Sequence, residues 1–212
     1  MSDTPAQTPG GTDSAYPLST QLNISFSPYE DRLVLKSKDS QHHASVLLLS
    51  RRMVMIVLQQ LLSRLPGLSG LDKTPAQYWQ EVLQMAHQQA MQAKAMSVQT
   101  ASASSSRSGS DIQKDNETPK PRAIFLATEL TVRLESKRLI LAFKGLPMPR
   151  AMTVASAPEP VFALSLQPGH AHQLIELLIT KAQEAVWHLP LELPWLENPK
   201  APGTSLQTSS LH

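Results

Sequence analysis

Four short segments of the chain are rich in apolar residues, and in the first segment of each half hydrophobic and polar residues alternate with a period of two. QLNISF (21–26) is followed after a turn by RLVLKSK (32–38), and ELTVRL (129–134) is followed after a shorter turn by RLILAFK (138–144). This period places one face of a strand in a core and the other in water. Two such segments joined by a short turn predict a β-hairpin in each half of the chain.

A helical pattern follows a third apolar run in each half. Ser50 is a favourable N-cap, and the apolar residues after it predict a helix to about Leu65, where Pro66-Gly67 would end it. Pro168 suits the first turn of a second helix, which we expect to reach about Trp187.

The first half carries an additional amphipathic helix, predicted over residues 75–96. Thr74-Pro75-Ala76-Gln77 combines an N-cap, a first-turn proline and a Gln at the capping-box position. Apolar residues lie on one face of this helix, and Gln residues predominate on the other. The Gln- and Met-rich composition is typical of an adaptable contact surface, because Met is flexible.

The two halves resemble two copies of one unit. Arg32-Leu33-Val34-Leu35 matches Arg138-Leu139-Ile140-Leu141, and the ends of the third apolar runs match as the pairs Leu47 with Leu164 and Leu49 with Leu166. Repetition of three strands and a helix in one order indicates an internal duplication. We therefore predict an α+β fold in which two β-β-β-α copies form a pseudo-dimer with an antiparallel sheet and packed helices.

Polar, Ser-, Thr- and Pro-rich stretches divide the chain. They lack apolar periodicity and are predicted to be disordered. The predicted organisation is a tail at 1–20, the first copy with its additional helix at 21–96, a linker at 97–121, the second copy at 122–198 and a tail at 199–212. A Pro-rich insertion at 145–160 is the largest difference between the copies, and such insertions often carry function.

Composition excludes several chemistries. The 212 residues contain no Cys, which excludes disulfides, thiolate nucleophiles and Cys-ligated metals, and only 8 Gly. The sequence has neither a Gly-rich phosphate loop nor a G-x-S-x-G nucleophile motif. His170-x-His172 lacks further ligands nearby, so we expect ordinary surface histidines rather than a metal site. The prediction is a protein without catalytic activity or cofactor.

The beginning of the sequence carries neither a basic segment nor an apolar core of a signal peptide. The longest apolar stretch is interrupted by Ser50-Arg51-Arg52 and by Gln59-Gln60, short of the ~20 residues that span a bilayer. We expect a cytoplasmic protein that makes no membrane contact.

These observations favour an accessory, adaptor or assembly protein that acts through protein–protein contacts, with the partner's identity and homo-oligomerisation left open. The candidate surfaces are the Gln- and Met-rich helix at 75–96, the Pro-rich insertion at 145–160 and the segment Pro190–Trp195. The candidate partner-binding residues are Arg51, Arg52, Trp79, Met85, Met148, Arg150 and Trp195.

The alternative is single-stranded nucleic-acid binding. A twice-repeated strand-rich unit closed by a helix is similar in layout to the PUR and Whirly families, although their motifs are absent here. The resemblance implies nucleic-acid contact by the basic residues Arg51, Arg52, Lys36, Lys38, Lys137 and Lys144. Stacking on bases requires exposed aromatics, whereas Phe26 and Phe143 are predicted to face the core.

Overall fold

Six strands and three α-helices form the part of the chain that the structure describes, residues 16–71, 74–105 and 123–191. The structure is a computed structural model. Its elements are β1 (Ser19–Ser27), β2 (Arg32–Asp39), β3 (Ala44–Leu49), α1 (Arg51–Leu68), α2 (Trp79–Ser105), β4 (Ala123–Glu135), β5 (Arg138–Met148), β6 (Glu159–Leu166) and α3 (Pro168–Glu184), with short 3-10 helices at Ala76–Tyr78 and Arg150–Met152. The predicted α+β class is confirmed.

The strands form one sheet in the order β1-β2-β3-β4-β5-β6. Neighbours are antiparallel except β3 and β4, which run parallel with Ser45–Leu48 opposite Ala123–Leu126. The predicted antiparallel pairing therefore holds for four of the five neighbouring pairs and is wrong for β3 with β4. Parallel strands require a long crossover, and α1 and α2 lie on the connection from β3 to β4.

The sheet curls until its two edges meet. Leu18 forms a parallel bridge with Ala163, whose N–H donates to the Pro17 carbonyl at 2.9 Å. The Cα atoms of β3 and β6 also approach within 8 Å of each other, which leaves no room for a helix of about 10 Å diameter between them. The helices therefore cover the outer face, here called the helix face, and the inner face is called the far face.

The main core lies between the helix face and the helices. Leucines from four strands are buried there, together with apolar residues of α1 and α3. The fully buried members on the strands are Leu33, Leu35, Leu47, Leu49, Leu139, Leu141, Phe143 and Phe162. Burying one such side chain stabilises the fold by about 1.5–3 kcal/mol before entropy is considered.

Helix α1 begins at the predicted residue but continues past the predicted end. The Met53 N–H donates to the Ser50 hydroxyl at 3.3 Å, which caps the helix. Pro66 lies inside the last turn, and the helix reaches Leu68. Leu65 and Leu68 are both buried, so core packing on this last turn supports the helix despite the proline.

Helix α2 is longer than predicted. A short 3-10 turn precedes it, and it extends to Ser105, so the first nine residues of the predicted linker are helical. The absence of an apolar stripe does not prevent the helix from continuing into this stretch, because no Gly or Pro occurs between Pro75 and Gly109 to break it. The remaining linker residues that the prediction covers, 106–121, lie outside the described residues.

Two further boundaries differ from prediction. Residues 16–20 belong to the fold rather than to a tail, because β1 starts at Ser19 and Leu18 pairs with β6. The 145–160 insertion begins as strand, since β5 continues through Met148 opposite Ile124. The tail predictions for residues 1–15 and 199–212, and the predicted end of the second copy at 192–198, fall outside the described residues.

Helix α3 ends at Glu184, slightly before the predicted end, and a turn then buries Trp187. The Trp187 ring packs edge-on against Phe26 with ring centroids 6.1 Å apart. Its indole N–H donates to the Asp31 carboxylate at 2.6 Å. This contact ties the segment after α3 to the β1–β2 turn.

Among the described helices, none combines the length and apolarity needed to cross a membrane.

Candidate binding surfaces

The predicted arginine pair lies at the start of α1, and both side chains are exposed. One guanidinium nitrogen of Arg51, Nη2, donates to the His188 carbonyl at 2.7 Å. Arg51 therefore fastens the segment after α3 to α1, even though the helix dipole disfavours a cation at this end. Arg52 remains a surface cation.

The two predicted residues of α2 have different environments. Trp79 is half-buried against the core, and its indole N–H donates to the Thr74 carbonyl at 2.8 Å. Met85 is 69% exposed. Trp79 therefore helps to hold the helix in place, whereas Met85 presents an apolar side chain to solvent.

The remaining predicted residues lie at and after the end of β5. Met148 is half-buried in the strand, and Arg150 is exposed in the 3-10 turn that follows. Trp195 lies outside the described residues. The described candidates thus belong to four separate elements, α1, α2, β5 and the 3-10 helix after β5, rather than to one cluster of adjacent side chains.

An exposed apolar stripe runs along α2. Val82, Gln89 and Met96 are seven residues apart, and Met85 lies three residues after Val82, so all four share one helix face. Both Met85 and Met96 are 69% exposed, and Val82 is also exposed. We call the face made by Val82, Met85, Gln89 and Met96 the α2 outer stripe.

A different face of α2 packs against α3. Leu83, His87 and Ala90 are buried there. The Gln173 side-chain amide of α3 donates to the Ala90 carbonyl at 3.0 Å. The outer stripe is therefore carried on a helix that is docked through its other side.

A pair of buried histidines lies in the α2–α3 interface. His172 is 0% exposed and His87 is 8% exposed. Their rings meet edge-on with centroids 5.6 Å apart. The Glu176 carboxylate lies 3.6 Å from His87 Nε2.

This environment favours neutral rings. Burial lowers the pKa of His87 below 6.5, and the negative charge of Glu176 offsets part of that effect. Burial, and to a smaller extent the charge of the neighbouring His87, together lower the pKa of His172 to about 4.

The expectation that His170 and His172 are both surface residues is wrong for His172. His170 is exposed, but His172 is on the buried face with Ala171 and Ile175. The helical period separates neighbours two residues apart onto different faces. Within residues 16–71, 74–105 and 123–191, no three His, Asp or Glu side chains are grouped closely enough to hold a metal.

The far face of the sheet contains a cleft of about 570 Å³ beside β6. Its floor is made by small or aliphatic residues of β5 and β6, including Ile140, Ala142 and Ala163, and its rim carries charge. The lining residues are Tyr16, Leu18, Thr131, Arg133, Glu135, Ile140, Ala142, Lys144, Pro160, Ala163 and Ser165. This size and lining are typical of a ligand cleft.

A smaller cleft of about 270 Å³ occupies the far face of β1, β2 and β3. Lys36 and Lys38 contribute to its lining. In the larger cleft, Lys144 Nζ lies 3.0 Å from the Glu129 carboxylate. That hydrogen bond and the Glu129 charge raise the pKa of Lys144, so the amine stays charged.

Sequence reasoning missed the histidine pair and both clefts. His87 lies four residues after Leu83 and three before Ala90, so helical spacing alone could have placed it on the buried face. The clefts depend on which strands are neighbours. Ala142 and Ala163 are opposite each other only because β5 pairs with β6 in that register.

No family model matches the chain, and neither the curated proteins nor the solved structures provide a match.

Proposed function

We propose that the protein is a non-enzymatic accessory or adaptor protein of the cytoplasm that binds a protein partner through the α2 outer stripe. The observation that carries the proposal is the exposure of Val82, Met85 and Met96 along one face of a docked helix. Partner proteins commonly cover such a face with an apolar groove or with another helix.

Two properties of the stripe support an interface. Its spacing of three and four residues matches the anchors by which a helix packs on a partner. Its methionines can also adapt to differently shaped partner surfaces, because the side chain is unbranched and polarizable. A different face of α2 contacts α3 through His87 and Ala90. The helix that carries the stripe is therefore already ordered before a partner binds.

A photo-crosslinking experiment tests the proposal in the full chain. A photoreactive residue at Met85 should capture a protein in extracts of the native cell, whereas the same residue at Gln88, exposed on α2 but off the stripe, should not. The captured protein is then purified, and its Kd is measured for wild type, Met85→Asp and Gln88→Asp.

We expect Met85→Asp to weaken binding at least tenfold, because a buried unpaired carboxylate is costly at an interface. Gln88→Asp should bind like wild type. Equal affinities for the two variants, or no capture at Met85, would contradict binding through the stripe.

We also infer that the two halves are copies of one β-β-β-α unit packed as a pseudo-dimer. The parallel junction of β3 with β4 has a counterpart in the parallel bridge of Leu18 with Ala163, which joins the second copy back to the first. The helices are exchanged in the same manner, since α1 packs on β4 and α3 packs on β1.

A matched irregularity supports the inference. The register of β1 with β2 shifts at Thr20, and that of β4 with β5 shifts at Thr128. The Thr20 hydroxyl donates to the Lys38 carbonyl at 3.1 Å, and the Thr128 hydroxyl donates to the Lys144 carbonyl at 3.5 Å. β-bulges are local features that families retain, so the same bulge in both halves favours common descent.

Single-stranded nucleic-acid binding is the second candidate, because four basic residues line the two clefts of the far face: Lys36, Lys38, Arg133 and Lys144. Arg51 and Arg52 lie elsewhere, at the start of α1. Phe143 is buried, and Phe26 packs against Trp187, so neither offers a stacking surface on this face.

Oligonucleotide binding across a salt titration tests this candidate. A sub-micromolar Kd, with a log affinity that falls steeply as log salt concentration rises, would favour this candidate. Lys36→Gln should then lower the affinity, whereas Lys181→Gln on α3 should not. Absence of binding at low salt removes it.

A further inference from the structure

We propose that His87, His172 and Glu176 form a pH-sensitive latch that holds α2 on α3 at neutral pH and releases it in acid. The inference rests on the proposed function, because the helix it releases carries the α2 outer stripe. It concerns regulation of that surface rather than its existence.

The latch lies at the centre of the α2–α3 contact. His87 comes from α2 and His172 from α3, and their rings touch edge-on with centroids 5.6 Å apart. Gln173, the residue after His172, donates to the Ala90 carbonyl in the same interface. A change of charge on the rings therefore acts directly on the surface that docks the helix.

Protonation opposes docking because both rings are buried. Placing a cation at His172 requires removing it from water, and a second cation on His87 would then lie within 6 Å. Glu176 can offset one positive charge on His87, from which it is separated by 3.6 Å. One carboxylate cannot compensate two adjacent cations in a buried site to the same degree.

Few other charged groups bear on the pair within the described residues. The remaining charged residues of α2 with described side chains, Glu81 and Lys94, are exposed, as are the arginines of α1, and β1 has no charged residue. On α3, His170 is exposed, and Lys181 is paired with Glu184 at 2.8 Å. On β5, Arg138 and Lys144 share the strand face of Ala142, which lines the far-face cleft, and Glu159 of β6 is exposed. The α1 arginines are Arg51, Arg52 and Arg64.

The direction of the effect follows from linkage. In the released state the rings are in water and bind protons with the ordinary pKa of 6.5, whereas in the docked state both bind them less readily. The released state therefore holds more protons below pH 6.5, and acid shifts the equilibrium toward it. Each histidine can change the ratio of released to docked molecules by up to about tenfold per pH unit in this range. For His172 this effect ends near pH 4, where the docked form is also protonated.

Release of α2 need not unfold the rest of the molecule. The main contacts of α2 are with α3 and with its own 3-10 turn. Leu83 and Trp79 connect α2 to the edge of the core, whereas α1 and α3 contact the strands directly. The sheet, α1 and α3 can therefore remain folded while α2 leaves.

Spin labels test the latch in the full chain without any partner. Because the sequence has no Cys, two introduced cysteines label uniquely, one at Ala95 on α2 and one at Thr180 on α3, both exposed. Electron-electron distances are measured at pH 7.5 and pH 5.0, and circular dichroism follows the fold at each pH. We expect a narrow distribution at pH 7.5 and a longer, broader one at pH 5.0.

Between pH 7.5 and pH 5.0 the population of molecules with α2 released should rise. His87→Gln and His172→Gln should each reduce this rise at least threefold, and the double variant should abolish it. His170→Gln removes an exposed histidine from the same helix and should leave the change intact. If His172→Gln fails to fold, His87→Gln alone decides, because it lies on the released helix.

An unchanged distance distribution at pH 5.0, or a response removed by His170→Gln and kept by His87→Gln, would overturn the latch. Partner binding at pH 7.5 is measured separately. If the distance distribution responds to pH but no protein is captured at Met85, only the proposed function is refuted. If a partner binds but the distance distribution does not respond to pH, only the latch is refuted.

Discussion

The far faces of the two halves have the same strand arrangement but carry side chains of different size. Across the first half, Asn23, Lys36 and Val46 lie opposite one another, and across the second half Thr131, Ala142 and Ala163 do. The cleft volumes are about 270 and 570 Å³. The second half has two alanines where the first half has a lysine and a valine, and its cleft has about twice the volume. The strand order is the same in both halves.

The helix faces differ much less. Leu33 and Leu139 are both fully buried, as are Leu35 and Leu141. In the proposed pseudo-dimer these positions are equivalent, and each copy's helix also packs on a strand of the other. The comparison indicates that packing constrains the shared core, whereas the far face can diverge.

The largest expected effect comes from breaking that shared core. Leu33→Ala and Leu139→Ala should each lower the free energy of unfolding by about 2–5 kcal/mol, because each leaves a cavity in a close-packed site. Urea unfolding followed by circular dichroism measures both. If the halves fold as one unit, each variant lowers a single transition, and a separate transition for one half would contradict the pseudo-dimer.

The next largest expected effect is a loss of folding stability as the pH falls, which should arise from α3 and not from α1. Counting from Ser50 and Gln167, His172 corresponds to Met55 in the first half. Because the pKa of His172 falls from 6.5 in the unfolded chain to about 4 in the fold, wild type should lose up to roughly 3 kcal/mol of stability between pH 7 and pH 4.

The variant His172→Met should lose less over the same range. Urea titrations at several pH values measure the difference, with His170→Gln as the exposed control. Parallel pH profiles for wild type and His172→Met would show that this ring is not responsible.

A smaller difference is expected at the helix starts. Ser50→Ala should cost about 1 kcal/mol, because the Ser50 hydroxyl accepts the Met53 N–H. Gln167→Ala should change stability by less than about 0.5 kcal/mol, since the Gln167 side chain makes no capping hydrogen bond in the described structure. Thermal unfolding measures the loss of stability in each of the two variants. Equal losses would contradict a stabilising cap at Ser50 alone.

The smallest change in stability should come from giving the larger cleft a residue of the smaller one. Ala142 is only 9% exposed but lines the cleft. Ala142→Lys places the first half's residue on the second half's far face and should shift stability by less than about 1 kcal/mol, because the long lysine chain can extend along the cleft and keep its amine in water. It should nevertheless narrow the larger cleft. Binding of a small apolar dye reports the difference, and undiminished dye binding would place the dye elsewhere.

Local patterns predicted much of the helix-face architecture. Leu22, Ile24 and Phe26 alternate with polar residues and form β1, and Ser50 caps α1 as its side chain suggests. The same reasoning placed Phe143 in the core, where it is buried. These features depend on period and short-range chemistry, which are visible in the sequence.

Long-range pairing could not be read in this manner. The parallel junction of β3 with β4 and the bridge of Leu18 with Ala163 depend on how distant segments meet. Both clefts follow from those pairings, and so does the environment of His172 against α2. Of the predicted site residues, Met85 matches the exposed stripe, whereas Trp79 instead anchors the helix.

The parallel junction also has a consequence for biosynthesis. Leu48 pairs with Leu126, 78 positions later, so β3 leaves the ribosome long before its partner strand is made. Val46, Leu47, Leu48 and Leu49 are all buried in the finished fold, and until β4 arrives they present an apolar open edge. Nascent chains with such edges aggregate readily. Prompt docking of α1 on the emerging hairpin, or a chaperone that shields β3, would therefore raise the yield of folded protein.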